Sequence, residues 1–175
     1  MRRYRFTADQ AKDLAKKMVI LVDSREKQNS HILDYFKRQK FDCQETKLDY
    51  GDYSFMIPES AAGEDIFFHR DIVVERKASL EELSGNLAQA RERFEKEFLR
   101  AGNDGCKIYL MVEDPRGYTG IIGHAYKTQL RPVSYMASLK AFEARFGANV
   151  QFISPEYAGY YIISTFTYFC REALK

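Results

Sequence analysis

Met18-Val19-Ile20-Leu21-Val22 is an unbroken apolar run that stops at Asp23. A short, branched, non-alternating run of this kind fits a strand buried on both faces, which needs cover above and below. Lys107 to Val112 reads the same way. Stretches with helical spacing separate these runs. Thr7-Ala8-Asp9-Gln10 has the capping-box pattern, in which the threonine hydroxyl and a glutamine three residues on satisfy free backbone donors, so a helix follows over roughly 8–17. Residues 30–39 place Ile32, Leu33 and Phe36 on one side of a second helix. Phe41 to Leu48 reads as a strand, Tyr50-Gly51-Asp52 as a turn and Tyr53 to Ile57 as a second strand, the two forming a hairpin. Ile66 to Lys77 supplies one or two more strands. Ser79-Leu80-Glu81-Glu82 opens a helix that runs, with a break at Gly85, to about Arg100, before the stop signal of residues 101–105. After a turn at 114–117, residues 118–131 read as irregular and aromatic. Pro132 begins a helix with Met136, Leu139, Phe142 and Phe146 on its apolar side, ended by Gly147. Val150 to Ile153 is the last strand, and Ser154-Pro155-Glu156 opens the last helix. Alternating elements without a long linker predict one α/β domain with a central mixed sheet flanked by helices.

The length of 175 residues suits one such domain with a real core. A net charge of only +2 leaves any nucleic-acid partner to be recognised by local patches. Cys43, Cys106 and Cys170 are far apart and form no C-x-x-C pair, which suggests reduced buried thiols and no zinc site. No apolar run reaches the ~18 residues of a membrane helix, so no membrane association is expected. The basic start Met1 to Arg5 leads into polar residues and is no secretory signal, so a cytoplasmic protein is expected.

The chemistry rests on a split constellation: Val22-Asp23-Ser24-Arg25-Glu26, then Gly51-Asp52, then Val73-Val74-Glu75-Arg76-Lys77. Glu75 and Lys77 are two apart in a strand and share a face with Val73, while Val74 and Arg76 point the other way. The 22 positions between Asp52 and Glu75 allow a strand, a loop and a returning strand that bring the two carboxylates together. Neighbouring carboxylates repel unless a cation sits between them, and oxygen-only donors favour Mg²⁺ or Mn²⁺ over Zn²⁺. A nearby lysine orients or deprotonates a water, or neutralises charge growing on phosphorus. The combination is what phosphodiester hydrolysis needs. The blander reading makes Asp23 a turn former, and Glu75 and Lys77 a cross-strand surface pair; Val73-Val74 argues for burial instead, where a charge needs a reason.

The set D-x-R-E, then G-D, then E-R-K resembles the XPF-type structure-specific endonuclease family, within the PD-(D/E)XK nuclease superfamily. The resemblance implies a restriction-endonuclease-like fold in residues 18–175, with residues 1–17 as an N-terminal helical extension. It also implies Mg²⁺ or Mn²⁺ and DNA cleavage at branches, flaps or single-strand junctions in repair, recombination or phage DNA processing. A homodimer is implied as well. Carried over by position, Asp23, Asp52 and Glu75 are the metal residues, Lys77 is the catalytic lysine, and Arg25, Glu26 and Arg76 lie near the phosphate. Glu81 stands where the family usually has an aspartate; it also fits a helix first turn, where the dipole favours an acid. No helix-hairpin-helix module follows within these residues, and the chain resembles compact bacterial or phage forms, which suggests a nucleoid or an infected cell as its setting. The rival expectation is a catalytically silent DNA-binding or scaffold subunit; such copies lose the acids that are kept here.

Several cations are candidates for DNA contact. Arg93, Lys96 and Arg100 share one helical face, either to track phosphates or as a solvated face with interleaved acids. Lys127 and Arg131 lie in a segment with Tyr118, His124 and Tyr126, which suits stacking on unpaired nucleotides or, equally, a tyrosine-packed loop. The tyrosines and phenylalanines of residues 157–169 exceed what one helix face buries and point to a subunit interface.

Overall fold

A computed structural model describes residues 6–175; Met1 to Arg5, on which the targeting expectation was based, lie outside the described residues. The chain folds in the order α1 (Ala8–Ala15), β1 (Val19–Asp23), α2 (Ser30–Arg38), β2 (Cys43–Thr46), β3 (Tyr53–Ile57), α3 (Glu59–Ala62), β4 (Ile66–Phe67), β5 (Ile72–Lys77), α4 (Leu80–Leu87), α5 (Arg91–Asn103), β6 (Lys107–Val112), α6 (Gly117–Ile122), α7 (Pro132–Phe146), β7 (Asn149–Phe152), a 3₁₀ turn (Pro155–Tyr157) and α8 (Ala158–Ala173). The capping box at Thr7 forms as read: the Gln10 N–H donates to Thr7 Oγ1 at 3.2 Å, and the Thr7 N–H donates to Gln10 Oε1 at 2.8 Å.

The strands form one seven-stranded mixed sheet in the order β2-β1-β3-β5-β6-β7, with β4 paired to the far half of β3. β1–β2, β5–β6 and β6–β7 are parallel, whereas β1–β3, β3–β4 and β3–β5 are antiparallel. The expected hairpin of β2 with β3 does not form, because β1 lies between them. Burial explains the order. β1 is apolar on both faces and is bonded along both edges, whereas β2 is largely exposed and takes the sheet margin.

Two helical layers cover the sheet. On one face α1, α2 and α8 pack Leu14, Phe36 and Phe166 against Ile20, Phe55 and Val74. The ring of Phe55 lies between those of Phe68 at 4.5 Å and Phe166 at 5.2 Å. Each such burial is worth about 1.5–3 kcal/mol. Gly159 lets α8 approach α2 closely: a Cβ there would lie 2.7 Å from Tyr35 Cβ. On the other face α4, α5, α6 and α7 pack Leu83, Phe98 and Leu139 against Val73, Leu110 and Val112. Beyond them, over β1 and β3, a small hydrophobic cluster of Leu21, Leu48 and Met56 is buried, and the cleft described below is lined by the neighbouring Asp49, Gly51 and Asp52.

Three local expectations change. The break after Ser79 falls at residues 88–90 rather than Gly85, where the Ala90 N–H reaches back to the Gly85 carbonyl. Residues 117–122, expected as the end of a turn and the start of the irregular stretch, form α6. Ser154 makes no side-chain cap, and the chain enters α8 through the 3₁₀ turn. No helix among the described residues is long and apolar enough to cross a membrane.

Candidate active site

The end of β5 separates two groups of charges. Strand alternation sends Glu75 and Lys77 towards α4 and α5, and Arg76 towards α2. Asp52 enters the first group through backbone pairing: its N–H donates to the Val74 carbonyl at 2.9 Å, and its carbonyl accepts the Asp23 N–H at 2.8 Å. The residue is thereby clamped between β1 and β5 just before β3 begins. The Arg76 N–H then donates to Asp52 Oδ2 at 2.7 Å, which turns the carboxylate towards Glu75. Preceding it, Gly51 has φ +66°, and a Cβ there would lie 2.7 Å from Val73 Cβ, so only glycine fits this crossing.

Asp52, Glu75 and Lys77 line one cleft of about 370 Å³, together with Arg25, Asn86 and Glu97. Lys77 Nζ lies 2.7 Å from Glu75 Oε1, 3.6 Å from Glu82 Oε1 and 5.1 Å from the centroid of the Phe94 ring. Burial, followed by the charge of Glu75, raises the Asp52 carboxyl well above the usual range. Burial also pushes Glu75 up to about 6, with Lys77 opposing and Glu97 adding repulsion. For Lys77 burial alone would lower the pKa, but Glu75 and Asp52 outweigh it and the ammonium stays protonated. The donor set fits a hard cation bound in the Mg²⁺ manner, through two carboxylates with waters and substrate completing the shell. Asn86 Oδ1, enclosed and without a hydrogen-bond partner, adds a neutral oxygen to the lining. Among the described residues no group of three His, Cys, Asp or Glu side chains that could hold a metal ion is found, and Asp23, the third expected ligand, has both carboxylate oxygens engaged by Arg25 and Leu48.

Asp23 is withdrawn by its own hydrogen bonds. Its Oδ1 accepts the Arg25 backbone N–H at 2.9 Å and Arg25 Nε at 2.6 Å, while Oδ2 accepts Arg25 Nη2 at 3.0 Å and the Leu48 N–H at 2.8 Å. Burial would raise this carboxyl, but those donors overcome it and hold it below the usual range. The residue braces the loop that precedes Asp52. Arg25, anchored on Asp23 with its side chain 64% exposed, does line the cleft.

Arg76 and Glu26 also leave the cleft. Arg76 Nε and Nη2 donate to the two oxygens of Glu113 at 2.8 and 3.0 Å, and Nη1 donates to Glu26 Oε1 at 3.2 Å. His31 Nε2 lies 3.0 Å from Glu113 Oε1 on the other side. This buried network lies on the α2 face, so the Arg76 side chain cannot meet a phosphate in the cleft; its backbone N–H is what serves the site. Glu81 points elsewhere as well, accepting the Lys127 backbone N–H at 3.2 Å. Glu82, one residue on, faces Lys77 and accepts the Ala78 N–H at 2.8 Å. The first turn of α4 is rotated so that Leu80 and Leu83 face the core, which fixes this choice. Arg93 and Arg100 line the cleft, whereas Lys96 lines an adjoining depression and pairs with Glu92 at 2.6 Å. Lys127 and Arg131 are exposed and line neither.

Besides Asn86 and Glu82, Glu97 and Glu113 belong to the site without having been assigned a role from the sequence. Glu97 accepts the Gly51 N–H at 3.0 Å, pinning the peptide before Asp52 to α5. It is four residues after Arg93 on the same helix face, a spacing that places it beside the cleft. Glu113 ends the run Lys107 to Val112 as Asp23 ends its own, a signal visible in the sequence.

Residues 22–165 match the ERCC4 domain. Among solved structures, XPF from Aeropyrum pernix is similar over 83% of this chain and 62% of that chain, at 20% identity and a TM-score of 0.60. XPF from Aeropyrum pernix in complex with DNA is similar over 88% and 65% respectively, at 19% identity and a TM-score of 0.61. This chain spans less than two thirds of the length of either, and at such identity the likeness concerns the fold. No curated protein matches the sequence.

Proposed function

Because this chain belongs to the ERCC4 domain family, we propose that it is a Mg²⁺- or Mn²⁺-dependent DNA endonuclease acting on branched, flapped or junction DNA. The observation that carries this reading is the meeting of Asp52, Glu75 and Lys77 in one cleft, at the end of a buried strand where three charges have no packing purpose. Asp52 and Glu75 would hold the divalent ion, which when bound would polarise the scissile phosphoryl group and lower the pKa of a water. Asp52 and Glu75 supply the negative charge that such an ion neutralises, and both are strained by burial and mutual repulsion without it. Lys77, kept protonated by Glu75, donates to a phosphate oxygen and stabilises charge developing on phosphorus; it is poorly suited to act as a base. Arg25 reaches the cleft mouth from its anchor on Asp23, and Arg93 and Arg100 face it from α5, so a phosphate entering the cleft meets cations on both sides.

Flap, splayed-arm and linear DNA incubated with the protein and Mn²⁺ test this. Wild type is expected to cut branched DNA, with Asp52→Ala and Lys77→Ala reduced about 10²-fold or more, the scale of losing one group that acts on transition-state charge. Equal cutting by all three proteins would remove the proposed site. Binding without cutting would make the chain the silent partner of a nuclease complex. A homodimer belongs to the same reading, with the exposed Tyr157, Tyr160 and Tyr168 as its surface; light scattering over a range of concentrations tests it.

A further inference from the structure

Next to the catalytic cleft lies a second depression, and the two share Arg93 and Arg100. The geometry of α5 explains the sharing. At about 100° per residue, Arg93 and Arg100 sit roughly 40–60° around the helix from Glu97, which borders the cleft. Lys96 and Leu99 follow at roughly 100–160°, still further round the same side. The surface therefore rolls from the cleft, over two arginines, to a lysine and a leucine. Among the described residues, neither Arg93 nor Arg100 has a side-chain hydrogen bond or ion pair, although most arginines here are committed to a carboxylate. Lys96 is held by Glu92 in a wholly exposed pair, of the weak kind that a phosphate displaces readily. Leu99 is 55% exposed and lines the same depression as these cations.

Resting on the nuclease reading above, we propose that this depression is a binding subsite for the unpaired nucleotide next to the scissile phosphate, and that the strand crosses over α5 to reach it. Arg93 and Arg100 take the phosphate on the ridge between the two hollows. Lys96 takes the next phosphate, and Leu99 offers an apolar surface to the face of the base. A duplex would present only its backbone to α5, since its bases are stacked inward; Leu99 among cations suits a strand whose bases are open.

The test is binding, measured by fluorescence anisotropy in EDTA so that no cutting occurs, with a short labelled oligothymidylate and a blunt duplex of equal length as probes. For the single strand, Lys96→Ala is expected to weaken affinity about fivefold and to reduce the slope of log K against log salt by about 0.7, one phosphate contact. Leu99→Ala is expected to weaken it on the order of threefold without changing that slope. Lys96→Glu should weaken it further than Lys96→Ala. Leu99→Ala should leave duplex affinity near wild type, whereas the Lys96 variants, which alter a phosphate contact, weaken binding of both probes. Wild-type single-strand binding by Lys96→Glu and Leu99→Ala would overturn the subsite, as would an equal loss from Leu99→Ala on both probes. A wild-type protein that binds and cuts while the variants bind normally would sink this subsite alone. A wild-type protein that binds no DNA would sink both it and the nuclease reading.

Discussion

Glu113 does more for the site than its distance from the cleft suggests. Its carboxylate holds the Arg76 guanidinium, its N–H donates to the Lys77 carbonyl at 2.8 Å, and Arg76 in turn presents the N–H that orients Asp52. Arg76 is 7% exposed, so removing its main partner leaves a charge stranded in the interior. Glu113→Ala is expected to cost about 3–5 kcal/mol in urea denaturation, the range for breaking a buried ion pair from one side. Glu113→Gln, which keeps an acceptor for one Arg76 donor, should lose less. The sequence distinguished these roles only in part. Asp23 and Asp52 are both acids at the margin of apolar runs, and nothing in their order says which is free. What separates them is Arg25, which folds back on Asp23 within two residues and consumes its lone pairs. Glu81 and Glu82 differ by a rotation of one helical position, which the packing of Leu80 and Leu83 decides.

Elements with a local cause were the most legible. Caps at Thr7 and Ser79, the proline that starts α7 and the left-handed Gly147 that ends it all act through neighbouring residues, and each stands where it was read. Partner choice between strands was not legible, because it depends on which edge remains unpaired after the sheet assembles. The segment between β2 and β3 shows the difference. Read as a tight hairpin turn, it instead passes the end of β1, and Gly51 is its narrowest point. Gly51→Ala combines an unfavourable left-handed φ with a collision against Val73, so the loop must shift. We expect a loss of about 1–3 kcal/mol by urea denaturation and a disproportionate loss of cleavage, since Asp52 is the next residue. Normal activity at reduced stability would mean that the loop tolerates displacement.

At the scale of the whole molecule, one sheet face carries a destabilising charge pair and the other a stabilising one. Glu75 is raised to about 6 from an unfolded value near 4.5, so between these limits the folded state holds more protons than the unfolded chain. Its contribution to stability therefore falls as pH rises through that window and is level above it, a loss on the order of 2 kcal/mol. Asp52 acts in the same sense, its folded pKa lying above the unfolded one. His69, whose pKa is lowered first by burial, works in the opposite direction below pH 6.5, so the carboxylate pair is isolated by comparing wild type with Asp52→Asn. Urea denaturation in EDTA should show Asp52→Asn to be more stable than wild type at pH 7.5, with the gap shrinking at pH 5. Adding Mn²⁺ should stabilise wild type and not the variant. An unchanged gap across pH would show that these carboxylates do not repel. Because alternate residues of β5 serve opposite sides of the sheet, the parts that would perform chemistry are separable from the parts that hold the shape. A descendant of this sequence can shed the cleft's acids, keep the ion network behind them, and persist as a well-folded adaptor for another protein.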